Sequence, residues 1–265
     1  EVDAACRGIT EAATKQTIPN DVLRNRKLRW PVEAHLETTL KNQRSRGVTR
    51  GEKYILLRTT KGTVILHLGM SGCLRVVEKD EPLKKHDHVD LVLTENIIRF
   101  NDPRRFGCLL YTEDPISEHK LFSSLGPEPL SSDFNGKYLH GYAKRSRTSI
   151  KTFIMKQSVV VGVGNIYASE ALFLAKINPK RLCNQISQPR LEQLVIAIKQ
   201  VLEQAISAGG TTLKDFYGSD GKPGYFSQRL KVYNRADEQC FSCSQEIKKI
   251  TLGQRSTYYC TQCQT

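Results

Sequence analysis

The chain opens with apolar residues spaced at the period of an α-helix. Such spacing places them on one face, and we expect that face to pack against a core. The opening stretch EVDAACRGITEAATKQT therefore predicts the first helix of the protein. Its apolar face comprises Val2, Ala5, Cys6, Ile9, Ala12 and Ala13.

From Tyr54 onward, the apolar residues occur in short runs that are separated by turn residues. YILLRTTKGTVILHLGMSGCLRVVE predicts three strands, with a turn at 60–62 and a glycine-rich bend. HVDLVLTENIIRFNDPRRFGCLLYTE repeats the pattern and predicts strands near 88–93, 97–100 and 107–112. The two blocks indicate an antiparallel β unit, a sandwich or a barrel, preceded by one helix.

The segment LGPEPLSSDFNG, residues 125–136, is rich in Pro, Gly and Ser and marks a domain boundary. Beyond it the pattern is helical, most clearly in PRLEQLVIAIKQVLEQAISAGG, which starts near Pro189 and closes at Gly209-Gly210. We therefore expect a helical domain after the β unit. The apolar stripe of this helix consists of Leu191, Leu194, Val195, Ile198, Val201, Leu202 and Ala205.

Charge narrows the choice of partner. The 265 residues carry a net charge of +13, from 40 basic and 27 acidic side chains. This excess favours a polyanionic partner, nucleic acid first and an anionic membrane surface second; a merely well-solvated surface is the plain alternative. No stretch is apolar over the roughly 20 residues that a membrane span needs, and the first residues lack the pattern of a secretory signal.

Four of the eight cysteines form two Cys-x2-Cys pairs near the end of the sequence. Their spacing is typical of a structural zinc site, in which four thiolates complete a tetrahedral shell. Two disulfides or a redox pair are the alternatives. The predicted ligands are Cys240, Cys243, Cys260 and Cys263.

The other four cysteines have no spacing typical of a disulfide framework, which suits buried thiols in a reducing cytoplasm. They are Cys6, Cys73, Cys108 and Cys183.

The residues between the two cysteine pairs alternate enough to form two short strands joined at 252–254. The metal would then support a rigid β-hairpin that presents Arg255. A closed shell of four thiolates leaves no open position for catalysis, so we expect a structural role for the zinc. The alternative for Arg255 is an ordinary solvated turn residue.

RFNDPRRFGC places Arg104, Arg105 and Phe106 at the tip of a tight turn. A planar aromatic beside two guanidinium groups suits insertion into a base stack, with the cations on phosphates or on a base edge. The alternative is that Phe106 belongs to the core and the arginines to an ordinary surface. Met70, on the bend HLGMSG, is by itself typical of core filler.

Other polar stretches carry weaker signals. KKHDHVD offers two histidines without a third metal ligand nearby, so a phosphate contact from His86 is the better interpretation. VVVGVGNIYASEALF departs from a nucleotide-binding loop, because Tyr167 occupies its third glycine position. A turn entering a helix at Asn165 would instead direct backbone amides and the Asn165 side chain at an anion. The run 143–151 adds cations, and the long loop 209–228 is typical of a lid.

In their order and combination, these motifs resemble those of bacterial formamidopyrimidine-DNA glycosylases, of the formamidopyrimidine/endonuclease VIII superfamily. The resemblance implies an α+β multidomain protein. Its parts would be an N-terminal β-sandwich with a leading helix (1–128), a helix–two-turns–helix domain (129–233) and a C-terminal zinc-finger β-hairpin (234–265). The matching stretches are NRKLRWPV, EKYILL, HLGMSG, KHDHVDL, NDPRRFG, LGPEPLS, VVGVGNIYASE, GGTTLKDF, SDGKPGYF and QRSTYYCTQCQ.

The resemblance also implies a function. The family removes oxidised purines, such as 8-oxoguanine and formamidopyrimidines, from damaged double-stranded DNA in base excision repair. The target base is flipped out of the stack, an amine forms a Schiff base with the sugar, and β,δ-elimination nicks the abasic strand. A monomer with one structural zinc is implied, acting on DNA of the nucleoid in the bacterial cytoplasm and not on membranes.

Individual residues match the family's functional positions. Lys53 matches a lysine assigned to β-elimination, and Arg255 matches the zinc-finger arginine assigned to δ-elimination. The wedge that fills the gap left by the flipped base corresponds to Met70, Arg104 and Phe106. The implied DNA contacts are His86, Arg104, Asn165 and Arg147. The implied lesion loop contains Ser219, Lys222 and Tyr225.

The start of the sequence departs from the family pattern. The family begins Pro-Glu-Leu-Pro-Glu-Val, with the proline amine as nucleophile and the next glutamate as acid, whereas this sequence begins Glu-Val. An α-amine titrates near ~7.8 and a lysine near ~10.4, so Lys53 would be a poor substitute nucleophile. Either an N-terminal segment precedes Glu1, which we expect, or the chain as written binds damaged DNA without cleaving it.

Two other functions stay open at this point. The first is an endonuclease VIII-like glycosylase acting on oxidised pyrimidines, although the SDGKPGYF loop and the wedge residues favour the purine enzyme. The second is a zinc-ribbon DNA-binding protein without catalytic activity. A protein of anionic membrane surfaces is a third class, and it predicts binding to liposomes.

Overall fold

The computed structural model describes residues 2–208 and 230–265. They fall into two compact units, one containing residues 2–123 and 206–208 and the other containing residues 124–205 and 230–265. The three-part division with boundaries after residues 128 and 233 stays a prediction. Within the described ranges, no helix has both the length and the apolar character that crossing a membrane requires.

The first unit contains the leading helix α1 (Val2–Ala13), a short helix α2 (Leu36–Leu40) and two antiparallel sheets. The strands are β1 (Thr17–Ile18), β2 (Asn20–Leu23), β3 (Gln43–Gly51), β4 (Tyr54–Thr59), β5 (Thr63–His67), β6 (Cys73–Val77), β7 (Asp87–Val92), β8 (Ile97–Asn101) and β9 (Cys108–Thr112). One sheet has the order β1-β3-β4-β5-β9, and the other has the order β2-β7-β8-β6.

The main core of this unit lies between the two sheets, and α1 packs against it. Leu57 of one sheet and Leu91 of the other belong to the same buried cluster as Ile9 of the helix. On the opposite face of β4, Tyr54 and Leu56 enter a second buried cluster. The predicted sandwich and its leading helix are confirmed.

The strand β3 was not predicted from the sequence, which placed the first strand at Tyr54. Its sequence QRSRGVTRG is mostly polar, and only Gln43 and Ser45 are buried in it. Pairing with β4 runs from Ser45 to Gly51. Backbone hydrogen bonds hold this strand, and a hydrophobic pattern does not reveal them.

The second unit combines helices with a C-terminal hairpin. Its elements are α3 (Gly136–Ala143), α4 (Ile150–Ile154), α5 (Asn165–Leu174), α6 (Gln188–Ser207), β10 (Ile247–Leu252) and β11 (Arg255–Cys260). The side chains of Asn135 and Ser149 cap α3 and α4 by accepting hydrogen bonds from backbone amides of the first turn. The whole apolar stripe predicted for the long helix is buried on α6.

Candidate functional site

The four cysteines of the C-terminal pairs converge at one end of the hairpin. Their sulfur atoms all lie within 4.8 Å of one another. The Cys240–Cys263 and Cys243–Cys260 sulfur distances are 3.9 Å and 3.4 Å. A disulfide bond is only about 2.05 Å long, whereas zinc–sulfur bonds of about 2.3 Å in a tetrahedron separate the sulfurs by about 3.8 Å. The thiolates fit one structural zinc, and the disulfide alternative is wrong.

The other end of the hairpin presents Arg255. Gly253 and Gln254 form its turn, with φ angles of 54° and 60°, and two consecutive positive φ angles characterise the tight type I′ turn. Leu252 still pairs with Arg255 across the strands, so the turn is shorter than the predicted joint at 252–254. The Arg255 side chain is exposed at the start of β11. We call β10, β11 and the four cysteines the zinc hairpin.

A buried lysine fixes the zinc hairpin to the helices. Lys151 of α4 is only 1% exposed. Its ammonium group donates hydrogen bonds to the Ser256 carbonyl at 3.1 Å and the Thr257 hydroxyl at 2.8 Å, and to Asn165 Oδ1 at 2.6 Å. Burial, and next the charge of Arg255, lower the pKa of Lys151 to about 8. The Lys151 side chain therefore joins α4 to α5 and to the two residues that follow Arg255 in β11.

Asn165 begins α5 as predicted, and its side chain has structural partners. Besides accepting from Lys151, the amide donates to the Ser256 carbonyl at 3.0 Å and to the Tyr233 hydroxyl at 3.3 Å. The amide thus helps to hold the zinc hairpin, and its contact with an anion stays a prediction. Arg147 is exposed between α3 and α4.

The buried carboxylate of Glu170 fixes the chain that leads into the zinc hairpin. This α5 residue is 4% exposed. It accepts hydrogen bonds from the backbone amides of Lys231, Val232 and Tyr233 at 2.8–3.0 Å. Three amides on one carboxylate are a strong, charge-assisted anchor.

In the first unit, the predicted wedge residues are exposed. Met70 is 56% and Phe106 is 44% exposed, so neither residue is core filler. The guanidinium carbon of Arg104 lies 4.9 Å from the Phe106 ring centroid. Such a cation–π contact keeps the aromatic ring and the charge together at one surface.

The buried carboxylate of Asp102 holds the bend at 69–71 and the turn at 102–107, which we call the wedge loops, against each other. Its Oδ1 accepts hydrogen bonds from the Ser71 hydroxyl at 2.8 Å and the Arg104 amide at 3.3 Å. Its Oδ2 accepts from the Gly107 amide at 2.7 Å. Gly69, with φ of 69°, approaches so closely that a Cβ there would lie 2.6 Å from the Gly107 nitrogen. These contacts fix the bend carrying Met70 beside Arg104.

His86 is part of the same arrangement through its backbone. It has a φ of 74°, and its carbonyl accepts a hydrogen bond from the Asp102 amide at 3.1 Å. Its half-exposed ring lies 6.1 Å from that of His88. The structure therefore places His86 next to the turn that carries Arg104.

Lys53 lies among other cations in a half-buried setting. Burial, and next the charge of Arg29, lower its pKa, and its ammonium lies 5.7 Å from the Tyr54 ring centroid. Burial, and next the charge of Lys53, lower the pKa of His67 to about 4. Because His67 Nδ1 accepts a hydrogen bond from the Gly69 amide at 3.0 Å, the neutral ring carries its proton on Nε2.

Three family models match the chain in the order of its parts. The formamidopyrimidine-DNA glycosylase N-terminal domain matches residues 1–109, the H2TH domain of the same family matches 125–217, and the zinc finger found in FPG and IleRS matches 238–265. The chain belongs to the formamidopyrimidine-DNA glycosylase family. It is thus a DNA glycosylase of base excision repair, and neither rival function is favoured.

Relatives of this glycosylase match over almost their whole length. The formamidopyrimidine-DNA glycosylase of Marinobacter nauticus is 51% identical over 265 residues, which cover 100% of this chain and 98% of the relative. The corresponding protein of Aliivibrio fischeri is 50% identical, with 100% and 97% covered. The Lactococcus lactis Fpg solved with abasic-site DNA has a TM-score of 0.92 at 30% identity, covering 100% and 98%. The Thermus thermophilus MutM has a TM-score of 0.89 at 32% identity, covering 100% and 97%.

Sequence reasoning missed the residues that hold the functional ones in place. In this glycosylase, Lys151 was counted only as part of a cationic run, and Asp102 only as a turn former. Glu170 and His67 gave no signal, because a single polar residue inside an apolar pattern does not disclose its partners. The predicted lesion-loop residues lie outside the described part of the chain: they are Ser219, Lys222 and Tyr225.

Proposed function

We propose that this glycosylase binds damaged double-stranded DNA as a monomer, excises oxidised purines and then nicks the abasic strand as an AP lyase. The observation that carries the proposal is the exposed pair Met70 and Phe106 beside Arg104, on loops that a buried carboxylate fixes. Apolar side chains held at a surface in this way suit the gap that a flipped base leaves. Solved Lactococcus lactis relatives contain DNA with Fapy-dG or with an abasic site. A bacterial cytoplasmic location follows from action on DNA.

The cations have separate roles in this proposal. Arg255 contacts a phosphate and assists δ-elimination, because the zinc hairpin holds an exposed guanidinium at a fixed position. Lys53 assists β-elimination, since its lowered pKa gives it more neutral amine for accepting a proton than an ordinary lysine has. His86, Arg147 and the amide end of α5 at Asn165 contact the DNA backbone.

Excision from matched duplexes tests the substrate class. A duplex carrying 8-oxoguanine opposite cytosine should be cleaved faster than one carrying thymine glycol opposite adenine. Borohydride should trap a covalent adduct of the protein that carries its native N-terminus, because the chemistry passes through a Schiff base. Preference for thymine glycol, or excision without any trapped adduct, would contradict the proposal.

A matched pair of truncations tests the wedge. Met70 and Leu83 are equally exposed, at 56%, but only Met70 belongs to the wedge. Met70→Ala should slow excision of 8-oxoguanine from duplex DNA by roughly tenfold, since unstacking a base costs a few kcal/mol and the wedge offsets part of that cost. Leu83→Ala should leave the rate unchanged, and equal effects of the two truncations would argue against the wedge.

A further inference from the structure

An aspartate occupies a core position in the first unit. Asp21 is the second residue of β2 and is 4% exposed. Its cross-strand neighbour in β7 is Leu91, which belongs to the main core. The helix α2 also packs against β2, and it contributes Leu36 and Leu40 to the same core. An apolar side chain would ordinarily fill such a position.

The carboxyl group of Asp21 has no hydrogen-bond partner in its surroundings. Both oxygens are buried, and neither accepts a hydrogen bond from another residue of the described chain. A carboxylate without a partner is costly to bury, whereas a neutral carboxyl group is tolerated far more easily. Burial, and next the charge of Glu37, therefore raise the pKa of Asp21 to about 6, although the charge of Arg26 and the residue's own backbone amide oppose the shift.

The charges that act on Asp21 come from α2 and from the segment before it. They are those of Glu37 and Arg26, and these two side chains form an ion pair with each other. Arg26 also donates a hydrogen bond to the Glu33 carbonyl at 2.7 Å. The cation that could neutralise Asp21 is therefore engaged with another carboxylate.

The other charged groups of α2 and of the paired part of β7 face solvent or the opposite side of the sheet. His35 and Lys41, at the two ends of α2, are exposed. Among residues 89–92 of β7, which pair with β2, the charged residue is Asp90. It lies across from Val22, the residue after Asp21, so its side chain is on the opposite face.

The helix α2 covers Asp21 but is easily opened. It has five residues, and the His35 side chain does not cap its first turn. A helix this short is marginal by itself and depends on the burial of its apolar residues. The segment between β2 and α2 also contacts the wedge loops, because the Arg29 amide donates to the Gly107 carbonyl at 2.9 Å.

We propose that Asp21 is a proton-dependent latch on α2: its neutral carboxyl group keeps the helix closed over β2, and loss of the proton favours local opening of the helix. In the open form water solvates the carboxylate, so its pKa returns to the ordinary 3.8. The closed form therefore binds more protons between pH 3.8 and 6, and the opening constant rises with pH by up to on the order of a hundredfold. The latch does not depend on the proposed function.

Two measurements on the isotope-labelled full chain test the latch. The Asp21 carboxyl carbon should titrate with a midpoint near pH 6. Hydrogen exchange should report the opening through the Thr39 and Lys41 amides, which donate to the His35 and Glu37 carbonyls. After correction for intrinsic exchange, their protection should fall roughly tenfold between about pH 5 and 7.5. The amides at 55–57 in β4 should keep their protection.

Variants separate the latch from other titrating groups. Asp21→Asn preserves the side-chain size but cannot ionise, so the protection of α2 should no longer depend on pH. Asp21→Ala removes the same charge with a smaller side chain, and it provides the test if the buried amide prevents folding. The matched control Asp80→Asn changes an exposed aspartate and should behave like the parent.

Three results would overturn the latch. They are an Asp21 midpoint near 3.8, protection of α2 in the parent that does not change with pH, and the same pH dependence in the parent and in Asp21→Ala. Each of these results leaves the glycosylase proposal intact.

Discussion

The wedge loops and the zinc hairpin both hold an exposed arginine, but opposite charges stabilise them. Around Arg104, a buried anion, Asp102, accepts three hydrogen bonds and closes two loops. Below Arg255, a buried cation, Lys151, donates three hydrogen bonds, and a metal site closes the far end of the hairpin.

The difference follows from what each region offers. The wedge loops expose backbone amides, which a carboxylate satisfies, so the region needs no metal. The start of β11 offers a carbonyl and a hydroxyl, which an ammonium satisfies. A two-stranded hairpin alone is marginally stable, and zinc stabilises it. Burial first, and next repulsion by the Arg255 charge, lower the pKa of Lys151 in this position.

The largest expected effect is the loss of zinc, which should destabilise the zinc hairpin and leave the wedge loops unchanged. Replacing Cys243 with Ser should abolish zinc binding, which contributes on the order of 10 kcal/mol in isolated zinc fingers. Hydrogen exchange should then speed up across 247–260 and stay unchanged across 69–74 and 104–110, because the four cysteines are the one group of possible metal ligands found among the described residues. Zinc content measures the loss directly, and protection retained in β10 and β11 without zinc would contradict the comparison.

The second largest effect is the loss of stability expected when the buried carboxylate of Asp102 is neutralised. Asp102→Asn removes the charge and turns an NH2 group toward either the Gly107 amide or the Ser71 hydroxyl, so we expect a loss of about 4 kcal/mol in unfolding free energy. Urea denaturation measures the loss. Asp114→Asn is the matched control, since Asp114 is exposed, and equal stability of the two variants would rule out the role assigned to Asp102.

The third effect is the pH dependence of stability that the buried Lys151 should cause. The folded-state pKa of Lys151 is about 8 against its ordinary 10.5, so the unfolded chain binds more protons between these values. Stability attributable to this lysine should therefore rise from about pH 8 to pH 10.5, by on the order of 3 kcal/mol.

Lys151→Met should remove that rise and destabilise the second unit by about 2 kcal/mol at neutral pH, because hydrogen-bond acceptors lose their donor. Lys156→Met, an exposed neighbour, should keep the rise. Denaturation curves across the pH range provide the measurement, and identical pH profiles for parent and Lys151→Met would contradict the assignment.

The smallest expected effect is the loss of stability when either of two glycines is replaced by alanine. Gly253→Ala should cost about 1 kcal/mol for the positive φ, since a Cβ there meets only the Thr152 side chain, at 3.2 Å. Gly69→Ala should cost clearly more, because its Cβ would lie 2.6 Å from backbone atoms of Phe106 and Gly107. Thermal unfolding ranks the two variants, and the reverse order would show that the wedge loops are less tightly packed than described.

Much of the fold was predictable from the sequence, and the reasons are physical. The buried stripe of α6 has helical spacing, and the spacing of the cysteines is typical of a zinc site. Both patterns can therefore be recognised from residues that are close together in the sequence. The polar strand β3 and the links made by Lys151 and Asp102 were not predictable, because their partners lie far away in sequence. Lys151 and Thr257, for example, are separated by 106 positions. Exposure of Met70 likewise depends on a bend that Asp102 fixes.

The most direct test of the account is the salt dependence of binding to a duplex that carries a tetrahydrofuran abasic analogue. The double variant Arg104→Gln, Arg255→Gln should bind more weakly than the parent. The slope of log affinity against log salt should fall by at least about one, because each lost phosphate contact releases about one counterion fewer. Lys120→Gln should match the parent. Unchanged affinity and slope in the double variant would contradict the claim that these two stabilised arginines grip DNA.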